Sequence, residues 1–426
     1  MKNKIRVIEC ANQLGLGGTE YALQLYCKYF DKDTFDVTAV ALQSGGARVG
    51  LIEALGIKVL VLNGDLDRFK QLLKDADVLH WHGAGDVDDA LFKLIRENKP
   101  KIVIQTNVFG YYKKSPLYDV IDYDLFISKM IIVRRMVEDG FTYESKRKVL
   151  PYPVDIDFLN SEDIAPSNDE IIKFKAENNL TDCFVVGRIG RADDHKFDMI
   201  TLAAFKEYGK FNPGSKFLLV GATANMIAYA KKIDVYHKLV MLDNTSNINT
   251  LLIYYKAMDV FLAASNIGES FGMVIAEAMS SGTPVVTIST PDRDNAQIEL
   301  VDNMQTGIVV PRIKEKIALA LNEISSNKTL ANRLSNQSKK KIFNSYRAPN
   351  IVNSLEQLIL KKLGYIDKVE NTLLLDWNLK LKSEYEERCT NLYGDANFAE
   401  KAYLWLNRSA AFKALRSIIK KIKSQL

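Results

Sequence analysis

The stretch IGESFGMVIAEAMSSGTPVV, residues 267–286, decides how the rest of the chain is read. An acid, Glu269, precedes a small-aromatic-glycine step. An apolar turn and a second acid, Glu277, follow, and Gly-Thr-Pro leads out into a β-branched run. On either side, DVFLAAS (259–265) and PVVTIS (284–289) have the apolar, partly β-branched composition of buried strands. Between them Met273, Val274, Ala276, Ala278 and Met279 suit a helix packed on a sheet. Gly282 ends that helix and Pro284 prevents it from continuing. The predicted unit is strand, loop, helix, turn, strand.

The two glutamates are eight positions apart, which is about 12 Å along a helix axis with a rotation of about 80°. On that spacing they can grip two ends of one elongated ligand. Ser270, Phe271 and Gly272 lie between them at the helix start, where unpaired amides and the positive end of the helix dipole favour an anion. A ligand with hydroxyls at both ends and a diphosphate in the middle, such as a nucleotide sugar, fits this layout. The alternative is plain: Glu269 is an acid in a first helical turn and Glu277 a solvated helix residue.

ESFGMVIAEAMSSGTPVV resembles the Glu-seven-residues-Glu signature of the retaining glycosyltransferases of family 4. The likeness includes Phe-Gly after the first acid, Ala-Met after the second, and the Gly-Thr-Pro-Val-Val exit. The resemblance implies an α/β chain of GT-B fold, with two Rossmann-like doubly wound domains facing a cleft. It also implies transfer of a hexose from a nucleotide-diphosphate sugar, UDP being the commonest carrier, to a hydroxyl of a glycan or glycolipid in surface-polysaccharide biosynthesis. No metal and no cofactor are expected. By the same resemblance Glu269 would bind the sugar hydroxyls and Glu277 the ribose. Ser270 and the backbone amides of Phe271, Gly272, Met273 and Val274 would hold phosphate and sugar.

With 426 residues the chain is long enough for two substantial domains and an appendage. Its 47% hydrophobic and 26% charged residues are ordinary for a globular protein, and a formal charge of +5 does not argue for nucleic acid. No apolar run approaches the roughly 20 residues that span a bilayer. The opening MKNKIRVIECA reads as a first strand rather than a signal peptide. Cys10, Cys27, Cys183 and Cys389 are scattered without metal or disulfide spacing, which suits a reducing, cytoplasmic setting.

IRVIECA (5–11) reads as a buried strand, and GLGGTE (15–20) leads from it into a helix with Ala22, Leu23, Leu25, Tyr26 and Tyr29 on one face. Glycines between a strand and a helix suit phosphate, although Glu20 stands where a dinucleotide fingerprint has its third glycine. A tight connection is the other reading. GLGGTE resembles the Gly-Gly-x-Glu loop of family 4, which implies that Gly17 and Gly18 face the diphosphate and acceptor. Further strands are expected at 37–42, 58–62, 77–82, 101–106 and 124–128, alternating with helices, as in a parallel sheet that binds ligands beyond its carboxyl strand ends. His80 and His82 end one strand and share a face. No nearby Cys or third His supports a metal there. HWHG (80–83) resembles the family's His-x-His-Gly strand end, which implies that His82 reaches the transferred sugar and His80 is structural. Asn107 and Lys129 are softer candidates for the acceptor side.

KVLPYPVDIDFL (148–159) resembles the family's interdomain strand and turn. Domains are expected at 1–158 and 159–347, with a crossing helix at 348–363 and a helical extension of unassigned role at 364–426. CFVVGRIG (183–190) is a strand carrying Arg188, followed by a loop and a helix opened at or soon after Lys196. The resemblance implies that Arg188 and Lys196 hold the leaving diphosphate, where preorganised cations stabilise developing charge. The loop is longer than usual, so Arg191 competes with Lys196. Arg188 paired to a local carboxylate, with Lys196 solvated, is the alternative. Gly221 ends FLLVG (217–221), where base-contacting loops sit in folds of this type. Asp292 and Asn295 are candidates for the sugar or members of a solvated loop.

The last residues read as helices. Phe412, Leu415, Ile418, Ile419 and Ile422 share a face among Lys413, Arg416, Lys420, Lys421 and Lys423. Residues 412–426 therefore suit the inner face of an anionic membrane, as in a peripheral protein, or packing on the body or on a second subunit. Two rival functions remain at this level, because a fold does not fix a reaction. One is a nucleotide-sugar epimerase or phosphorylase, and the other is a glycosyltransferase-like binding subunit without catalysis.

Overall fold

A computed structural model describes residues 4–111, 115–138, 144–291, 293–370, 372–391 and 402. The basic amphipathic segment 412–426 and Asp292 lie outside the described residues. In chain order the strands are β1 (Ile5–Gln13), β2 (Phe35–Ser44), β3 (Lys58–Val61), β4 (Val78–Gly83), β5 (Ile102–Asn107), β6 (Tyr123–Phe126) and β7 (Arg147–Val149). They continue with β8 (Val185–Ile189), β9 (Lys216–Val220), β10 (Leu239–Leu242), β11 (Val260–Ala263), β12 (Val285–Ser289), β13 (Ile308–Pro311) and β14 (Leu375–Asp376). The chain divides into two compact units: Met1–Ala165 with Lys339–Lys382, and Pro166–Ser338 with Ser383–Leu426.

In the first unit the sheet order is β14-β7-β6-β5-β4-β1-β2-β3. All pairings are parallel except that of β14 with β7. The near-continuous apolar runs of these strands are what a sheet buried on both faces requires. One side of the core packs Leu23, Tyr26 and Cys27 of the helix Gly18–Tyr29 with Ile351, Val352, Leu355 and Ile359 of the helix Ala348–Lys362. On the other, Phe69, Leu73, Phe92 and Ile95 cover the sheet. Side chains of Asp65 and Asp88 accept from amides of the first turns of their helices, so local capping sets where those helices begin.

The segment LLLDWN (373–378), expected to be helical, is not. Leu375 and Asp376 pair antiparallel with Val149 and Lys148, and the helix starts only at Leu379. The edge of β7 offers unpaired backbone groups, and the ion pair Lys148–Asp376 holds the register, so tertiary pairing overrides the local preference.

In the second unit the order is β10-β9-β8-β11-β12-β13, all parallel. Phe205 and Tyr208 on one helix and Ile317 and Leu321 on another close one face over Phe217, Leu219 and Val286. In each unit the order reverses once, between β1 and β4 and between β8 and β11, and connections leaving in opposite directions open a crevice at that point. Among the described residues no helix is long and apolar enough to cross a membrane.

Candidate active site

In the second unit Arg188 lies in β8, and the loop after β11 carries Glu269, so both flank the reversal point. Two glycines shape that loop. Gly268 (φ 75°) and Gly272 (φ 101°) are both left-handed, and a Cβ at Gly268 would lie 1.7 Å from the carbonyl oxygen of Asp294, so only glycine fits. Ser265 Oγ donates to Gly268 O at 2.8 Å, and the Ala296 amide donates to Glu269 O at 2.8 Å. Gly272 is the N-cap of the helix Met273–Ser281. Glu269 therefore stands in the turn before the helix rather than on it, and the helical separation expected for the two acids does not apply. The left-handed Gly272 interrupts the helical path between them. Phe271 is buried, Ser270 half-buried, and Met273 and Val274 open the helix, whose first amides lack intrahelical acceptors.

Lys196 also precedes its helix, which begins at Ile200. Phe197 forms an antiparallel bridge with Ser265, and Asn266 N donates to Lys196 O at 2.9 Å. That backbone link holds the longer loop against the glutamate turn and sets Lys196 Nζ 3.0 Å from Glu269 Oε2. The solvated lysine of the alternative reading is thus not what is found. Arg191 is exposed and makes no ion pair among the described residues.

Arg188 is 5% exposed, with its guanidinium carbon 4.9 Å from the centroid of the Phe197 ring. Among the described residues no carboxylate lies within 4.0 Å of it, so the local partner of the alternative reading is not what is found. The neighbouring acid Asp198 is engaged by Arg312, at 2.6 and 2.7 Å. Burial pushes the Arg188 pKa down, opposed by the charges of Glu269 and Asp198. A guanidinium this basic stays charged, so the site holds a buried cation without a carboxylate against it.

Glu277 lies on the helix Met273–Ser281 and is buried, not solvated: its Oε2 accepts from Tyr255 Oη at 2.8 Å. Tyr255 comes from the helix Ile248–Ala257 and carries no sequence signal beyond an apolar helix. Gly221 (φ 82°) follows β9, where a Cβ would meet Gly190 O at 2.1 Å, and Asn244 Nδ2 donates to the same carbonyl at 2.8 Å. Asn295, far from being solvated, is fully buried, and its Oδ1 accepts from the Thr290 amide at 2.7 Å.

In the first unit the reversal point lies between β1 and β4. Gly17 and Gly18 follow β1 and start the helix Gly18–Tyr29, and the Glu20 carboxylate folds back onto them, 2.1 Å from where a Gly17 Cβ would stand. His80 and His82 on β4 do share a face, with ring centroids 4.3 Å apart. The partner missed from sequence is Glu9, which β1 places in register with His80. His80 Nδ1 lies 2.8 Å from Glu9 Oε1 and His82 Nε2 2.7 Å from Oε2. These are hydrogen-bond distances, shorter than the roughly 3.3 Å between two ligands of a tetrahedral ion. Asn107, at the end of β5, is buried and accepts from the Gly110 amide at 2.6 Å, so it shapes its own turn, and Lys129 opens the helix Lys129–Glu138. The structure thus assembles Arg188, Lys196 and Glu269 in one unit, while His82, Gly17 and Gly18 belong to the other.

Residues 169–341 match the model of the family described as glycosyl transferases group 1. An uncharacterized glycosyltransferase of Methanocaldococcus jannaschii is 31% identical over 139 residues, which are 32% of this chain and 34% of that protein, so the match spans about a third of the relative's length. A glycosyltransferase from Rickettsia africae superposes with a TM-score of 0.70 at 16% identity, covering 85% of this chain and 99% of the other. Anabaena HepE, solved with UDP and glucose, gives 0.67 at 17% identity over 85% and 100%. At such identities a likeness establishes the fold: two Rossmann-like parallel-sheet units of the GT-B type, the second similar over residues 169–341 to the group 1 glycosyl transferases.

Proposed function

We propose that the chain is a retaining, metal-independent glycosyltransferase that moves a hexose from a nucleotide-diphosphate sugar to a hydroxyl of a glycan or glycolipid, within the family 4 type. One observation carries this reading: at the reversal point of the second sheet a buried guanidinium, Arg188, has no carboxylate within 4.0 Å among the described residues, beside the Lys196–Glu269 pair. Breaking a sugar–phosphate bond leaves negative charge on the departing diphosphate. Arg188 and Lys196 are placed to stabilise it, with the first amides of the helix Met273–Ser281 assisting. Glu269 binds sugar hydroxyls and Glu277, held by Tyr255, the ribose. In this reading the departing phosphate oxygen accepts the proton of the attacking hydroxyl, so no protein nucleophile is required. UDP is the proposed carrier, supported by the UDP in the Anabaena structure. Surface-polysaccharide synthesis at the cytoplasmic side of a membrane is the proposed setting.

The test is a panel of nucleoside diphosphates and their sugars against the unfolding midpoint, since a ligand of the folded state raises it. One nucleotide must give a shift that a specific sugar enlarges and that Arg188→Ala abolishes, and that donor must then support transfer to a hydroxyl acceptor. A chain whose midpoint answers to no nucleotide is not a transferase of this type.

A further inference from the structure

The helix Gln297–Leu300 in the second unit has only four residues, too few to stand by themselves, so its place must be fixed by its neighbours. Gln297, Ile298 and Leu300 are buried. Just before it, the Ala296 amide donates to Glu269 O at 2.8 Å. At its far end Leu300 Cδ1 lies 3.3 Å from where a Cβ on Gly272 would stand. The short helix thus braces the glutamate turn at Glu269 and again at Gly272.

Each end of the brace has its own anchor. At the first, the buried Asn295 accepts on Oδ1 from the Thr290 amide at 2.7 Å and from Gln297 Nε2 at 3.1 Å, and donates from Nδ2 to Ser289 Oγ at 3.3 Å. Gln297 Nε2 also donates to Ile288 O at 2.8 Å, so this end is tied to β12. The other end is held from far along the chain. Val301 closes the short helix, its amide donating to Gln297 O at 3.0 Å. Its carbonyl accepts from Arg388 Nη2 at 3.2 Å, and the same nitrogen bonds the carboxylate of Asp302, 86 positions earlier. Arg388 stands on the helix Leu379–Asn391, which from Ser383 onward belongs to the second unit. Tyr385, three positions before it and on the same face, is buried.

This helix lies beyond residues 169–341, the part of the chain that matches the family model. We infer that Arg388 is a positioning residue for the donor site: the C-terminal extension holds the open end of the helix Gln297–Leu300 and thereby fixes where the Glu269 carboxylate stands. This rests on the proposed function, in which Glu269 binds sugar hydroxyls.

Magnitudes separate this role from that of a scaffold. The side chains of Arg388 and Asp302 are 34% and 29% exposed, and a pair so open to water adds little to global stability. Placement of a polar group at a reacting centre acts much more strongly on rate. The phosphate cations Arg188 and Lys196 are set by β8 and the loop after it, so diphosphate binding should hardly respond.

The experiment uses the full chain, with Arg388→Met, which keeps an apolar stem and removes both bonds, and Arg388→Lys, which keeps a cationic donor. Native-state hydrogen exchange at the Ala296 amide should quicken about 3–10-fold in the methionine variant, the range a half-exposed charge pair with one added hydrogen bond can command. Amides of β8 and β12 and the unfolding midpoint should hardly move. With a sugar donor that the wild type transfers, kcat should drop about 3–10-fold while UDP affinity stays within about twofold. Lysine should restore both readouts. Ala296 exchange equal to wild type overturns the inference, as does faster exchange spread evenly over the unit. A kcat unaltered beside faster exchange overturns it as well, because the brace would then not bear on Glu269. A methionine variant that does not fold makes the contact scaffold and has the same effect. Exchange needs no substrate, so it still decides whether Arg388 holds the short helix if the wild type transfers from no donor, an outcome that fails the proposed function instead.

Discussion

Lys196 Nζ and Glu269 Oε2 are 3.0 Å apart in the second unit, although 73 positions separate them (269 minus 196). In the proposed reading the lysine serves the phosphate and the acid the sugar, and without a ligand the two hold each other. If that reading holds, donor binding exchanges the pairing, with the diphosphate replacing the carboxylate on the lysine. In Glu269→Gln the lysine is released, so UDP alone should bind at least as tightly as to wild type. Transfer should nevertheless drop by about 10²–10³-fold, the usual loss for one preorganised polar group at a reacting centre. Calorimetry with UDP and a transfer assay on the same preparation check both halves. A loss of UDP affinity in the glutamine variant would contradict the exchange.

Arg188 is buried with no carboxylate within 4.0 Å among the described residues, which is costly to the free protein. Arg188→Met should therefore leave the unliganded midpoint unchanged or higher, because a packed apolar chain replaces a desolvated cation. UDP affinity should drop by about 10–100-fold, the scale of charge-assisted bonds to phosphate. Arg188→Lys should not rescue it, since an ammonium can neither make a planar fork nor stack in the same way on Phe197.

Tyr255 Oη holds Glu277 Oε2 in a buried setting. Tyr255→Phe removes one charge-assisted bond and should cost about 1.5–3 kcal/mol of folding stability in denaturant melts. If Glu277 reads the ribose, UDP binding should weaken in the same variant while the relative preference among sugars is kept.

The cluster around Glu9 sets a pH signature. Burial raises Glu9 to about 7 and lowers His80 to about 3 and His82 to about 4. Between pH 4.5 and 6.5 the unfolded chain carries protons on both imidazoles, while the folded cluster carries one, on Glu9. Unfolding there takes up about one net proton, so this cluster makes stability fall as pH falls, by about 1.4 kcal/mol per unit. The raised carboxyl works in the opposite sense: its contribution is present below 4.5 and lost as pH rises through about 7. Glu9→Gln has no such loss, so relative to wild type it should gain of the order of 2–3 kcal/mol between pH 5 and pH 8. Parallel denaturant curves across that range test the sign, and a difference that stays constant with pH would contradict it.

Much of the architecture follows from local chemistry. Apolar β-branched runs, bounded by glycine and proline and alternating with helical faces, specify parallel strands buried on both sides. The runs read from the sequence fall on β1 to β6, β8, β9, β11 and β12. Left-handed Gly268 and Gly272, readable as loop glycines, had to be glycine because a side chain would strike Asp294 or strain the helix start. Arg188, Lys196, Glu269 and Glu277 were readable as residue types suited to phosphate and hydroxyls, and His80 with His82 as a pair sharing a strand face.

What the letters could not determine is which groups meet. Glu9 is an acid in the middle of an apolar strand, and nothing local says that the β1–β4 register brings it to two imidazoles 71 and 73 positions later. Tyr255 joins Glu277 only because two helices pack. Asn295 is polar and locally indistinguishable from a solvated loop residue, yet its neighbours bury it. Leu375 and Asp376 pair with β7 against their helical composition. Each of these contacts joins groups distant in sequence, or depends on what packs around a residue, and periodicity and propensity act only over the few residues of a turn or strand. Elements and chemical types were thus decided by sequence alone. Partners, burial and protonation were decided by the tertiary structure, because desolvation and hydrogen bonding depend on neighbours that only the fold supplies.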